Sequence, residues 1–559
     1  MLGRGNFMRW VIQNASLPQS EQELEELLLE THGVSDSQTF FAPRDPREIP
    51  LSELGISKES LTKILERFQH AKDNDEEILV FGDYDADGIT ATALLWETLH
   101  ALGFRAWPFI PQRLRHGYGL SLRALQDVFL EHPKVELLVT VDNGIVAHEA
   151  LQSLEKQKID VIVTDHHQPD GKEPEAKAVF HSTQVCGAAL AWFLSRELLA
   201  HFAAPQKDAL LTKTLELLAI STVTDLMPLQ GINRDILVSA LKALRQSKRP
   251  GLQALFQFAK VEQKELSSYQ MGFVIGPRIN AMGRLGDATD ALRLLCTNDP
   301  KKAQTLAKQL QDTNSERQNL TQDLIQTAEA KALAQVDQKI LLVAGEDYHE
   351  GVIGLLAGKL LEKYHKPTIV FSCSENLVKA SARSLPGFHI TEFIRRFAPY
   401  LLEFGGHPLA AGFALEPKNL EVLQKAMWQA AAEELAELSL EPELSIDCQL
   451  PASLVSLDTV AVLEKFEPFG LANPQPKFLL KAYQLESLFP LGNSGEHWRL
   501  SFRSSEGISL ELLAFSQPTL LKTLQLQENY DLVVALQKNV WHQRIRLQVI
   551  LKDWRISQK

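Results

Sequence analysis

Residues 78–88 read Ile78-Leu79-Val80-Phe81-Gly82-Asp83-Tyr84-Asp85-Ala86-Asp87-Gly88, and this stretch decides the fold. Four consecutive apolar residues run into a glycine and then into three alternating carboxylates. An apolar run without alternation buries both faces of a strand, as in a parallel sheet covered by helices. A helix-like segment, Ala91 to Leu102, follows. The pattern then recurs twice. Leu137 to Val141 ends at Asp142-Asn143-Gly144, and Val161-Ile162-Val163 runs on to Asp165-His166-His167. In open α/β sheets, ligands sit beyond the carboxyl ends of the strands. Three strands are therefore expected to deliver their polar residues to one edge.

Asp83, Asp85 and Asp87 repel one another unless a cation neutralises them. A solvated turn, with Asp87 capping a helix, is the alternative. An EF-hand is excluded, because its twelfth position would fall on Leu94 or Trp96 instead of Glu. Asp142 before Asn-Gly could be a simple turn, and a histidine pair could be filler. All three motifs on one edge instead fit divalent metal. Imidazole with carboxylate suits Mn²⁺, whereas Mg²⁺ prefers oxygen ligands. Two cations roughly 3.5–4 Å apart that share a carboxylate can clamp a phosphate for hydrolysis. The sequence contains neither GxxxxGK[ST] nor GxSxG, so nucleotide-triphosphate energy and a serine nucleophile are not indicated.

The chain has 559 residues, enough for about three or four domains. It carries 57 Lys and Arg against 70 Asp and Glu, a formal charge of −13, and 45% of it is apolar. These values exclude a disordered chain and a polycation. An acidic balance opposes wholesale adhesion to nucleic acid but allows a local basic channel. No apolar run reaches the ~18 residues of a membrane helix, and Met1 to Gln13 lacks the apolar core of a leader. Cys186, Cys296, Cys373 and Cys448 are far apart, which suits a reducing, cytoplasmic setting.

The organisation expected is α/β and multidomain. A lead-in covers 1–70, a parallel-sheet domain 71–235, a helical connector 236–337, a second α/β domain 338–438 and an antiparallel barrel 439–559. Lys301 to Val336 has no Gly or Pro and carries apolar residues at helical spacing, which predicts one long connecting helix. Asn314 and Arg317 interrupt its stripe. They either cap buried polar contacts or face a cleft.

The ordered set GDYDADG, VDNG, TDHH and TVTDLMPL resembles the four metal motifs of the DHH phosphoesterase superfamily. GPRINAMGR (Gly276 to Arg284), YHEGVIG (Tyr348 to Gly354), SARS (Ser381 to Ser384) and GGHPLAAG (Gly405 to Gly412) resemble its connecting region and DHHA1 domain. EPFGLANPQP (Glu467 to Pro476) opens a segment similar to an OB barrel. Together these motifs resemble the single-strand-specific DNA exonucleases within the superfamily. Two departures stand out. The usual Asn-Pro after the strand beyond DHH is absent, and Tyr348 replaces a frequent Trp.

The resemblance implies that Asp83, Asp85, Asp87, Asp142, His166 and Asp225 ligate two Mn²⁺ or Mg²⁺ ions, with Asp142 as the bridge. His167 would contact the scissile phosphate and Asp165 would orient a histidine. It implies digestion of single-stranded DNA from the 5′ end to mononucleotides, in repair and recombination. A single-strand-binding protein or helicase would be a partner, the chain would be a monomer, and no membrane would be involved. Arg113 would bind backbone phosphate and Tyr118 would stack a base. Arg278, Asn280, Ser381 and Arg383 would hold a terminal phosphate. Gly405, Gly406 and His407 would line the strand's approach. Two rival readings are a phosphodiesterase of nano-oligonucleotides or cyclic dinucleotides, and an inactive scaffold that binds single strands.

Overall fold

The structure, a computed structural model, describes residues 8–117, 119–437, 440–492, 496–515, 524–541 and 544–558. Five strands form the first sheet: β1 (Glu77–Phe81), β2 (Arg105–Phe109), β3 (Val135–Val141), β4 (Asp160–Asp165) and β5 (Ala178–His181). Their order is β2-β1-β3-β4-β5, and every pair is parallel. Ile78, Leu79, Val80 and Phe81 are all fully buried, as a run without alternation requires.

Helix α1 (Ala86–Ala101) leaves the end of β1 and is buried round most of its circumference. Thr90, Thr92 and Thr98 occupy that apolar setting because each hydroxyl donates to a carbonyl one turn back. Two further helices, α2 (Gly187–His201) and α3 (Lys207–Thr224), pack beside it. Helix α4 (Gly276–Leu285) closes over the same edge. Ile89, Leu94 and Leu99 are fully buried in this core. Truncating one of them to Ala would cost about 2–5 kcal/mol.

The predicted long helix within the connector is α5 (Pro300–Leu333), 34 residues and ~51 Å long. It starts at Pro300 because Asp299 caps Lys301 N and proline has no N–H to lose there. Its first turns bury Ala303, Ala307 and Leu310 in the first core, and its last turns bury Leu324, Ala328 and Ala332 in another. Beyond it come β6 (Leu341–Gly345), α6 (Ile353–Tyr364), β7 (Thr368–Cys373), β8 (Val378–Arg383), β9 (Leu401–His407) and β10 (Ala410–Leu415). The sheet order is β9-β10-β8-β7-β6, with only β6 and β7 parallel. Gly405, Gly406 and His407 are the last residues of β9.

The last segment is a barrel of β11 (Phe478–Leu491), β12 (His497–Arg503), β13 (Ser509–Ala514), β14 (Asn529–Trp541) and β15 (Arg544–Ile556). It closes through the β11–β14 pairing. It is not wholly antiparallel, since β13 and β15 run parallel.

The 1–70 stretch packs on two separate cores. The strand Arg9–Ile12 pairs with Glu443–Ile446 beside the barrel, and the helix Glu21–Thr31 buries Leu24 and Leu28 in the barrel core. The helix Lys58–Asp73 instead buries Ile64 and Phe68 against the first sheet. Leucines at helical spacing announce a packing face, but not which distant domain receives it.

Candidate metal centre and phosphate pocket

GDYDADG, VDNG and TDHH reach one edge because their strands end there, and Asp225 reaches it from the C-terminal end of α3. Asp85 caps α1, its Oδ1 accepting from Asp87 N and Gly88 N at 3.0 Å. Asp87 is held by the start of α2. Gly187 N donates to its Oδ2 at 2.7 Å and Ala188 N to its Oδ1 at 2.9 Å. Asp142 follows β3 with φ of 63°, the left-handed region that non-glycine residues rarely occupy outside constrained sites. Gly187 permits that placement, since a Cβ there would lie 2.5 Å from the Asp142 Cβ. Nothing in the motifs flags Gly187. Its signal is a lone glycine at a helix start.

Asp165 ends β4. Its Oδ1 accepts from His166 N at 2.7 Å and His167 N at 3.1 Å, and its Oδ2 from Ile145 N at 2.9 Å. The same Oδ1 also accepts from His167 Nδ1 at 2.7 Å. His167 stacks on His407 from the second α/β domain, with centroids 5.9 Å apart. His181, missed in the sequence, donates from Nε2 to His167 O at 2.7 Å.

His166 Nε2 lies 3.1 Å from Asp142 Oδ1, 3.6 Å from Asp225 Oδ2 and 3.9 Å from Asp87 Oδ2. Burial, with the neighbouring His167 charge, pushes His166 down to about 3. The imidazole is therefore neutral, and these approaches are not ion pairs. Burial, then Asp87, Asp85 and Asp225, holds Asp142 well above the usual carboxylate range. Burial and Asp85 push Asp83 up to about 8 and Asp87 up to about 6. Asp83 Oδ1, Asp142 Oδ1, His166 Nε2 and Asp225 Oδ2 are buried without hydrogen-bond partners. Orphaned buried acceptors cost about 1–3 kcal/mol each.

Ligand atoms of Asp87, His166 and Asp225 lie within 4.8 Å of one another, as do those of Asp142, His166 and His167 and those of Asp83, Asp85 and Asp142. Asp142 and His166 are shared between groups. A neutral imidazole among converging carboxylates fits a pair of divalent cations, which would relieve both the orphaned atoms and the mutual repulsion.

Beside this centre lies a set of guanidinium groups. Arg113 sits over the Tyr84 ring at 5.3 Å. Arg383 donates to Ser381 Oγ at 3.2 Å, and a Cβ on Gly354 would come within 3.1 Å of its Nη2. Arg284, not singled out in the sequence, donates to Gly351 O at 3.1 Å. Burial, then Arg113 and Arg383, lowers it to about 10. Arg278 stands one step away from this group. It donates to Gln311 Oε1 at 2.9 Å, and its charged neighbour is Arg317, not Arg383. Asn280 Oδ1 accepts from Ala86 N at 2.8 Å, so that oxygen anchors the start of α1. Tyr118 lies outside the described residues.

A cleft of about 790 Å³ runs from the Asp225 loop to the barrel, lined by Leu226, Met227, Tyr269, Phe273, Phe469 and Leu471. Phe273 rides on a wide π turn at Met271–Ile275, a feature common at functional sites. Its ring stacks on Tyr269 with centroids 5.0 Å apart, and Phe273 and Tyr269 are 73% and 62% exposed. Leu229 N to Leu471 O, at 2.8 Å, ties the metal loop to the stretch that leads into the barrel.

A parallel sheet that presents a carboxylate–histidine centre, faced by a second α/β domain, defines a metal-dependent DHH phosphoesterase. The DHH family N-terminal domain matches residues 77–222, the DHHA1 domain residues 337–433 and the RecJ OB domain residues 446–553. The single-stranded-DNA-specific exonuclease RecJ of Bacillus subtilis is 30% identical over 99% of this chain and 71% of its own length. The Thermus thermophilus protein of that name is 32% identical, over 92% and 73%. The crystal structure of RecJ from Thermus thermophilus in complex with Mn²⁺ superposes with a TM-score of 0.82 and 28% identity. That match covers 99% of this chain and 80% of the other. The chain belongs to the RecJ family.

Proposed function

We propose that this protein is a metal-dependent exonuclease that hydrolyses single-stranded DNA from its 5′ end and releases mononucleotides. One observation carries the reading: six carboxylate and imidazole ligands converge on one centre beside guanidinium groups that, among the described residues, form no ion pair with a carboxylate. The first feature suits a phosphodiester under attack, and the second suits a terminal phosphate one nucleotide away.

Asp83, Asp85, Asp87, Asp142, His166 and Asp225 would hold two divalent cations, Mn²⁺ or Mg²⁺, Asp142 being common to two of the ligand groups. When bound, the cations polarise the phosphodiester and make water a nucleophile near neutral pH. Asp165 holds the Nδ1 proton of His167, leaving Nε2 to give its proton to the departing 3′ oxygen. Arg113, Ser381 and Arg383 grip the terminal phosphate and set the polarity. Tyr269 and Phe273 stack bases of the incoming strand, a sequence-tolerant contact. Gly405, Gly406 and His407 border the site from the second domain.

The barrel grips strand further out and offers the surface for a single-strand-binding protein or helicase. On this reading the protein acts as a monomer in the cytoplasm, in repair and recombination. The test is a time course on 5′- and 3′-labelled single- and double-stranded DNA with Mn²⁺, Mg²⁺ or chelator. Mononucleotides should appear from 5′-labelled single strands with metal only. Release from the 3′ end, or equal digestion of duplex, would refute the reading.

A further inference from the structure

Helix α5 buries apolar residues where it meets each domain, but its middle is different. Positions 310, 314, 317, 321 and 324 follow one helical stripe, so all face the same side. Leu310 and Leu324 sit in two different cores, and between them stand Asn314, Arg317 and Thr321. Thr321 satisfies its hydroxyl on Arg317 O. Asn314 is only 1% exposed, yet its Oδ1 has no partner, and Arg317 Nε is also buried and unpartnered. A helix that needed only to pack would carry leucine here. The acidic residues Asp312, Glu316 and Asp323 are exposed on its other side.

The stripe faces cations. Burial, then Arg317, lowers Arg278. Arg317 also adds to the lowering of Arg284, after burial, Arg113 and Arg383. Arg278, Arg317, Arg284, Arg113 and Arg383 thus form one cationic set, and Arg278 meets α5 directly, donating to Gln311 Oε1 at 2.9 Å, three residues before Asn314. Among the described residues, none of the five forms an ion pair with a carboxylate. One terminal phosphate at Arg113 and Arg383 would leave Arg278 and Arg317 uncompensated.

Building on the exonuclease reading, we propose that Arg317, Arg278 and Asn314 form a second phosphate-binding position. It would hold a phosphate of the substrate other than the one gripped by Arg113, Ser381 and Arg383. The guanidinium donates to the non-bridging oxygens, and the Asn314 amide, whose two ends exchange by a flip, adds a donor. The phosphate is either the nearest backbone phosphate of the strand or the β-phosphate of a 5′-polyphosphate end.

The test compares the full chain with its Arg317→Gln and Arg317→Lys variants. Binding of fluorescent dT oligomers with 5′-hydroxyl, 5′-monophosphate and 5′-triphosphate ends is measured in EDTA across salt. Arg317→Gln should bind about tenfold more weakly, with a salt slope reduced by about one contact. Arg317→Lys should retain much of the affinity. The ligand-free Gln variant should melt no lower than the parent, because a repelling charge has gone. An equal loss on all three ends assigns the position to backbone phosphate, and a loss confined to the triphosphate assigns it to the end. A variant that binds all three normally, or one that melts lower with intact affinity, overturns the proposal. A parent chain that binds no single strand at all defeats the exonuclease reading instead.

Discussion

Asp142 Oδ1 and His166 Nε2 lie 3.1 Å apart, and neither atom has a hydrogen-bond partner. They belong to two different strand ends, and each takes part in two of the three ligand groups. Removing Asp142 should therefore break both halves of the centre at once. Asp142→Ala is expected to abolish turnover while single-strand binding largely survives. Mn²⁺ at about a hundredfold over its dissociation constant should stabilise the parent chain by about 2.7 kcal/mol and the variant far less. Calorimetric melting with and without Mn²⁺, beside a nuclease assay, checks both. Normal cleavage would remove Asp142 from the shared position.

Arg383 sits against Gly354 and Ser381, close to Arg113. Arg383→Ala should reduce the preference for 5′-phosphorylated over 5′-hydroxyl strands by about tenfold or more, the value of a charge-assisted bond. The readout is the ratio of kcat/KM for the two ends. An unchanged ratio would place the terminal phosphate elsewhere.

Tyr269 and Phe273 form an exposed stacked pair on the wall of the cleft. Replacing both by Ala should weaken single-strand binding by about 1–3 kcal/mol per base lost. The melting temperature should barely move, because neither ring is buried. Fluorescence anisotropy and melting separate the two effects, and full affinity in the double variant would reroute the strand.

His32 is clamped between the barrel and its approach. Its Nδ1 lies 3.0 Å from Asn473 Oδ1 and its Nε2 3.1 Å from Asp447 Oδ1. The Asn473 amide nitrogen already donates to Phe466 O and Pro468 O, so its oxygen faces the ring. Both ring nitrogens therefore face acceptors, which favours the imidazolium. Burial pulls its pKa down and Lys477 opposes the charge, but Asp447 and Asn473 outweigh them and the pKa is raised. A raised folded-state value means this stabilisation is full below the unfolded pKa of about 6.5. It is lost as pH rises through the folded value. His32→Leu should cost about 1–3 kcal/mol at pH 6 and less at pH 9. Parallel denaturation curves at both pH values check this, and an equal cost at both would contradict the imidazolium.

Local chemistry made much of this protein legible. Unalternated apolar runs ending in Asp or His dictate parallel strands and place the ligands at one edge, because a buried strand can expose polar groups only where it stops. The run without Gly or Pro from Lys301 onward dictates a single helix, and the structure ends it at Leu333. The clustering of Asp83, Asp85, Asp87, Asp142 and His166 was expected for that reason, whereas Asp225, at the end of α3, entered only through the resemblance.

Other features depend on atoms far apart in the chain. Gly187 is needed only because α2 starts against Asp142, 45 residues upstream. Arg284 and Arg317 acquire meaning only when α4 and α5 bring them into one cationic set, since a lone arginine carries no signal of its neighbours' charge. The helix Glu21–Thr31 shows an apolar face in sequence, yet the barrel that covers it is formed by residues beyond 440. Periodicity reports that a surface must be buried. Only the folded chain decides against what, because that choice is made by shape and charge from segments hundreds of residues away.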